Sequence, residues 1–257
     1  MSADSVHTGY NVSTGLTTPS GPVISDVGHE NRMRTDLAQA FYNAAGVTDR
    51  TDPDAPASSF AVERIQDQLE SVVRPGMRTL DLGCGAGRFT FAMESLGAIP
   101  TGMDCAAIPL DHARQIASQR NCRSRFQQGD ILTLPFEKES FDLALLADNI
   151  VEFSPEDMET LSCALAGVLA TDGIFCLSMK HDESPSGLKV SRYAVPGHGE
   201  FEYHTHPWTA TRARSAIEKH LAFVREEALG ENRHWLVFRK EQTCPTRICS
   251  VRAAARR

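Results

Sequence analysis

The residues best equipped for chemistry stand at 79–87, Thr-Leu-Asp-Leu-Gly-Cys-Gly-Ala-Gly. An apolar run ending in three alternating glycines reads as a strand that turns sharply into a helix near Arg88. Glycine permits φ > 0 and lets a ligand approach the backbone without a Cβ in the way. The helix N-terminus beyond the turn favours a negative group. The dinucleotide fingerprint is G-x-G-x-x-G; counted from Gly83, its third glycine would fall on Arg88. Asp81 is a second departure, because an acid at the mouth of the loop repels a pyrophosphate and suits a ligand that carries an ammonium group. Asp81, Gly83, Cys84, Gly85 and Gly87 are therefore candidate ligand contacts.

Other residue types could act on a substrate. Asn149 and Glu152 follow the apolar run 141–147 in Asp148-Asn149-Ile150-Val151-Glu152-Phe153. Each is a candidate catalytic group, set against a strand-end cap for Asn149 and a solvated first-turn acid for Glu152. His204 and His206 are two apart, which places both on one side of an extended segment. Imidazole titrates near neutrality, so His206 is a candidate base and both are candidate pocket-lining residues, set against surface or packing histidines. The pair lacks the third and fourth ligands that a metal needs, and no metal is expected. Arg192 and Tyr193 could meet an anionic or aromatic substrate. Tyr42 sits beside Phe41, where a lid and ordinary core packing are alternative roles.

These residues need elements to position them. Apolar residues recur at helical spacing over 30–45, and a second helix follows a cap at Ser58 or Ser59 and stops at Pro75-Gly76. From Arg78 short apolar runs alternate with helical segments. The expected strands are 78–82, 98–103, 123–128, 141–147, 173–180, 221–229 and 233–240. The expected helices are 87–96, 106–120, 155–170 and 208–220. Alternation of this kind predicts an α/β fold, a doubly wound and mostly parallel seven-stranded sheet. The gap Gly230-Glu231-Asn232 is too short for a crossover, so the last two strands should form an antiparallel hairpin. Residues 181–207 break the rhythm and are expected as an irregular, lid-like binding insertion. Residues 1–29 and 241–257 are expected to be flexible around a single domain over 30–240.

Composition narrows the function classes. The chain has 257 residues, 23% of them charged and 41% hydrophobic, and a net charge of −7. A phosphate-clamping protein usually shows a basic face, so nucleic acid is not an expected partner. No run approaches the apolar length of a membrane span, and none resembles a secretory signal, so a cytoplasmic location and no membrane partner are expected. The seven cysteines match no zinc or redox spacing, and reduced thiols are expected.

Residues 79–180 resemble the core of the class I S-adenosylmethionine-dependent methyltransferases, with a Rossmann-like fold. The family's nucleotide loop matches Asp81-Leu82-Gly83-Cys84-Gly85-Ala86-Gly87. Its ribose-binding acid at the end of the second strand matches Asp104, followed by Cys105, and a carboxylate can accept two hydrogen bonds from a cis-diol. The resemblance implies that Asp130 accepts from the adenine amino group and that Ile131 covers the ring. It also implies that Ala147, at the end of 141–147, faces the methyl donor. The implied cofactor is S-adenosyl-L-methionine. Nucleobase and protein-amide methyltransferases of this class often carry Asn-Pro-Pro-Tyr where this chain has Asn149-Ile150-Val151-Glu152. The helices before the core and the insertion at 181–207 resemble small-molecule members, which implies N- or O-methylation of a metabolite, with natural-product tailoring as one setting. C-methylation and a non-catalytic binding protein are the alternatives. A homodimer is one assembly compatible with this reading.

Overall fold

The computed structural model describes residues 27–48, 51–55, 60–183, 187–195, 197–230 and 232–241. The expectations for 1–26 and 242–257 lie outside these. In chain order the elements are α1 (Val27–Ala45), α2 (Phe60–Val72), β1 (Arg78–Leu82), α3 (Arg88–Ser95), β2 (Ile99–Asp104), α4 (Ala107–Gln119), β3 (Arg125–Gln128) and β4 (Phe141–Ala147). A 3₁₀ turn (Ile150–Glu152) leads to α5 (Pro155–Val168), β5 (Leu169–Lys180), β6 (Lys189–Val195), β7 (Gly199–Thr205), α6 (Ala210–Ile217), β8 (Ala222–Ala228) and β9 (Arg233–Arg239). Residues 27–29, grouped above with a flexible segment, open α1.

Seven strands form one sheet in the order β3-β2-β1-β4-β5-β9-β8. β1 pairs in parallel with β2 and β4, β2 with β3, and β4 with β5. β9 runs antiparallel to β5 and to β8. This is the Rossmann-like, mostly parallel sheet with a C-terminal antiparallel hairpin. The pleat divides its side chains between two cores. Ala144 and Leu146, Phe175 and Leu177, and Leu236 and Phe238 face α5 and α6, where Leu161, Leu165, Ala213 and Ile217 meet them. Leu143 and Leu145, Cys176, and Trp235 and Val237 face Ile65 and Leu69 of α2 and Met93 of α3. Both faces are covered, which explains why the strands read as continuous apolar runs rather than as alternating ones.

The helices that follow the sheet are started by side chains. Ser154 accepts from Asp157 N–H at 3.1 Å, and the Asp157 carboxylate accepts from Ser154 N–H at 2.8 Å, a capping box with Pro155 behind it. Thr209 caps α6 by accepting from Arg212 N–H at 3.1 Å.

The stretch 181–207 is not irregular. β6 and β7 form a separate two-stranded antiparallel sheet, with Tyr193 opposite Phe201 and Ser191 opposite Tyr203. The alternation Phe201, Tyr203 was legible as a strand, but the Gly, Pro and His residues at 195–199 read as loop rather than as the turn between two strands. The insertion leaves and rejoins the core at one place. Asp182 N–H donates to Trp208 O at 2.7 Å, and Trp208, fully buried, donates its indole N–H to Phe153 O at 3.1 Å.

Cys84, Cys105, Cys122 and Cys176 are free thiols, whereas Cys163 is disulfide-bonded, a departure from uniformly reduced cysteines. Among the described residues no helix is long and apolar enough to cross a membrane, and no group of three or more His, Cys, Asp or Glu could hold a metal ion.

Candidate active site

The C-terminal edge of the parallel strands carries the glycine loop. Gly83, Gly85 and Gly87 take φ of 68°, 54° and 91°, left-handed values that cost a side chain about 1–2 kcal/mol each. The loop is fastened from two sides. Gly83 N–H donates to Met103 O at 2.7 Å, and Gly85 N–H donates to the Asp104 carboxylate at 2.8 Å. The other Asp104 oxygen accepts from Ala106 N–H at 2.9 Å, at the start of α4. Asp104 thus joins the loop, the end of β2 and the next helix. Burial raises its pKa above the usual carboxylate value, and these backbone N–H groups oppose the rise.

Asp81 is 1% exposed beneath the loop and accepts from the Thr90 hydroxyl at 2.6 Å. Burial pushes its pKa up to about 7, against the Thr90 hydrogen bond. Cys84 is buried beside it. Asp130 follows β3 and accepts from Leu132 N–H at 2.9 Å; Ile131, 7% exposed, packs with Leu82 and Met103 in the core. Burial pushes the Cys105 thiol up, and so do the carboxylates of Asp104, Glu152 and Asp130. Ala147, half-buried, ends β4.

Two other segments of the chain close over the loop. A Cβ placed on Gly85 would meet no core atom but the Thr51 methyl at 2.9 Å, on the segment that follows α1. One placed on Gly83 would meet the Asn149 amide at 2.2 Å. Two side chains thus stand over the cradle. The Thr51 segment is held by Arg88, which donates to Ala55 O at 3.2 Å, and by an ion pair between Arg120 and Asp54. A carboxylate at each of two strand ends fits a donor with a ribose diol and an adenine amine, whereas Asp81, expected as a ligand contact, is sealed beneath the loop against Thr90.

A second cluster is assembled from residues distant in the chain. Asp148 follows β4 at φ 61°. It holds that strained conformation by donating its N–H to Ser178 O at 2.9 Å and by accepting from the Ser178 hydroxyl at 2.9 Å and from the Arg233 guanidinium. The bend sends Asn149 back to Gly83 O at 3.0 Å and leads into the 3₁₀ turn that presents Glu152. Two phenols converge there. Tyr42 of α1 and Tyr203 of β7 both donate to Oε1 of Glu152, the latter at 2.7 Å, and their hydroxyls lie 2.8 Å apart. Burial, then the Glu152 charge, raises both phenol pKa values well above their usual value. Phe41 packs against Tyr42, Tyr203, Tyr193 and Phe201 with ring centroids 5.1, 5.2, 5.8 and 5.9 Å away.

The structure thus brings Tyr42, Tyr193, Asn149 and Glu152 to one edge with the cofactor candidates. His206 joins them through its backbone, donating N–H to Val151 O at 2.7 Å. Arg192 and His204 point the other way. Both lie on the opposite face of the hairpin from Tyr203, with Arg192 exposed and paired to Glu202 at 3.0 Å and His204 Nε2 3.7 Å from the same carboxylate. Sequence reasoning assigned no role to Thr51, Thr90 or Tyr203. A strand reading of 199–205 would have placed Tyr203 with Phe201 on one face.

Residues 79–173 match the family described as a methyltransferase domain. A ubiquinone biosynthesis O-methyltransferase of Coxiella burnetii (strain Dugway 5J108-111) is 29% identical over 131 residues, covering 51% of this chain and 53% of that protein, so the match spans about half the length of this relative. Among solved structures, the PH0226 protein of Pyrococcus horikoshii OT3 superposes with a TM-score of 0.63 at 22% identity, over 73% of this chain and 93% of that one. The 1,6-didemethyltoxoflavin-N1-methyltransferase of Burkholderia thailandensis, solved with 1,6-didemethyltoxoflavin and S-adenosylhomocysteine, gives a TM-score of 0.61 at 18% identity, over 87% and 93%. At these identities the structural likeness establishes the fold. Fold, glycine loop and strand-end acids agree with the family match, and over residues 79–173 the chain is similar to the S-adenosylmethionine-dependent methyltransferases.

Proposed function

We propose that this chain transfers a methyl group from S-adenosylmethionine to an oxygen or nitrogen of a small molecule. The observation that carries the reading is the glycine loop fastened through Gly85 N–H to Asp104 at the C-terminal edge of the sheet, where open α/β sheets bind their ligands. The cofactor, when bound, supplies a methyl group already activated by a sulfonium charge. In this reading Asp104 holds the ribose hydroxyls and Asp130 the adenine amine, beside Ile131. The turn Gly83, Gly85 and Gly87 lies under the amino-acid end, with Asp81 and Cys84 supporting it from within the fold and Cys105 and Ala147 beside it. Tyr42, Asn149, Glu152, Tyr193 and His206 stand on the acceptor side. The names of the two characterised relatives, one acting on oxygen and one on a ring nitrogen, support a small acceptor and leave both atoms in play.

Two measurements test this. Calorimetric titration with S-adenosylhomocysteine should show binding, and thermal stabilisation by NAD in its place would sink the reading. Incubation with methyl-labelled donor and a metabolite extract should label a small molecule. Donor binding with no transfer of label would instead identify a non-catalytic binding protein.

A further inference from the structure

Resting on that methyl-transfer reading, we propose that Tyr42, Glu152 and Tyr203 together select the acceptor: it is a flat ring compound whose methylated group donates a hydrogen bond, a hydroxyl or an amino N–H, and is not an anion. The three residues come from three separate elements and meet at one oxygen. Both phenols donate to Oε1 of Glu152. A molecule that takes the place of one phenol at that oxygen meets a carboxylate acceptor and matches it best by donating a hydrogen bond. An anionic group in the place of a phenol would face the Glu152 carboxylate. Arg192 offers such an anion nothing, since it lies on the other face of the hairpin against Glu202. The walls are flat. Phe41 packs on both tyrosines of the trio, Tyr193 on Tyr203 and Phe201 on Phe41, aromatic faces that suit a ring stacking against them.

The step balances with these groups. A lone pair on the acceptor oxygen or nitrogen forms the new bond to the methyl carbon. The carbon–sulfur bond breaks with its electron pair passing to sulfur, and the acceptor's proton passes to Oε1 of Glu152 and then to water. Glu152 is the catalytic residue, while Tyr42 and Tyr203 are positioning residues.

The test uses the full chain, labelled S-adenosylmethionine and five ring compounds: catechol, aniline, 2-aminophenol, benzoate and phthalate. At least one of the first three should be methylated, with kcat/KM at least about tenfold above either carboxylate. On the accepted compound Glu152→Gln should lower kcat and Tyr203→Phe should raise KM, each by about tenfold, with S-adenosylhomocysteine affinity within about twofold of the parent. Several outcomes overturn the proposal: carboxylates methylated as well as the others, no hydroxyl or amino compound methylated by protein that binds S-adenosylhomocysteine, or either variant losing donor affinity along with turnover. Failure of the unaltered chain to bind S-adenosylhomocysteine overturns the methyltransferase reading itself, and the titration detects it separately.

Discussion

On the methyl-transfer reading proposed above, the site has a donor half and an acceptor half, and the two are built on different principles. The donor half is made of backbone: a strand, a five-residue glycine turn and strand-end acids that fasten N–H groups, each contact spanning a short stretch of sheet. The acceptor half is made of side chains from α1, the 3₁₀ turn and β7, with Tyr42 lying 110 residues from Glu152 and 161 from Tyr203. A backbone cradle tolerates little change because every atom in it is also part of the fold. A side-chain constellation can be altered one group at a time. The difference teaches that donor identity and acceptor choice should respond separately to substitution.

The largest effect should come from putting a side chain into the backbone half. Gly83→Ala sets a Cβ 2.2 Å from the Asn149 amide at φ 68°. It should destabilise the fold by at least about 1–2 kcal/mol and weaken S-adenosylhomocysteine binding well beyond about tenfold, by thermal melting and calorimetry. Next, Asp104→Ala removes a charge-assisted anchor worth about 1.5–3 kcal/mol and should weaken that binding by at least about tenfold. Unchanged affinity would place the ribose elsewhere.

The buried acid gives a pH test of intermediate size. The Asp81 pKa is raised from 3.8 to about 7 in the folded chain. Between those values the folded state holds a proton that the unfolded state has lost, so stability falls as pH rises from about 4 to about 7 and then levels. Asp81→Asn, which still accepts from Thr90, should therefore raise the melting temperature more at pH 8 than at pH 4. An equal effect at both would refute the raised pKa.

Smaller still is the effect of the acceptor half on the fold. Tyr42→Phe should cost about 0.5–1.5 kcal/mol in thermal melts while S-adenosylhomocysteine affinity stays put. A large loss of donor affinity would erase the contrast between the halves. Arg192→Ala, at an exposed pair, should change stability by less than about 1 kcal/mol and leave donor binding alone.

The same contrast explains what could be read from the sequence. Gly83, Gly85, Gly87 and Asp104 are legible because a turn and a strand end are local events with fixed residue requirements. The sheet was legible because strands buried on both faces leave apolar runs separated by helical periods. Tyr203 was not, because its importance depends on the register of β6 with β7 and on where α1 lands. The hairpin itself was hidden by glycine, proline and histidine at 195–199, which read as loop. Asp148 was hidden more deeply: nothing in Ala-Asp-Asn announces a left-handed aspartate whose cost is offset by Ser178 and Arg233 on other strands.

The short bridge between Asp182 N–H and Trp208 O has a wider consequence. It brings the two ends of the intervening segment together at a junction secured by a buried indole. Such a junction works as a socket. Lineages, or an engineer, can vary the length of the hairpin beyond it while the seven-stranded sheet is inherited intact, provided that Tyr203 and His206 keep their contacts.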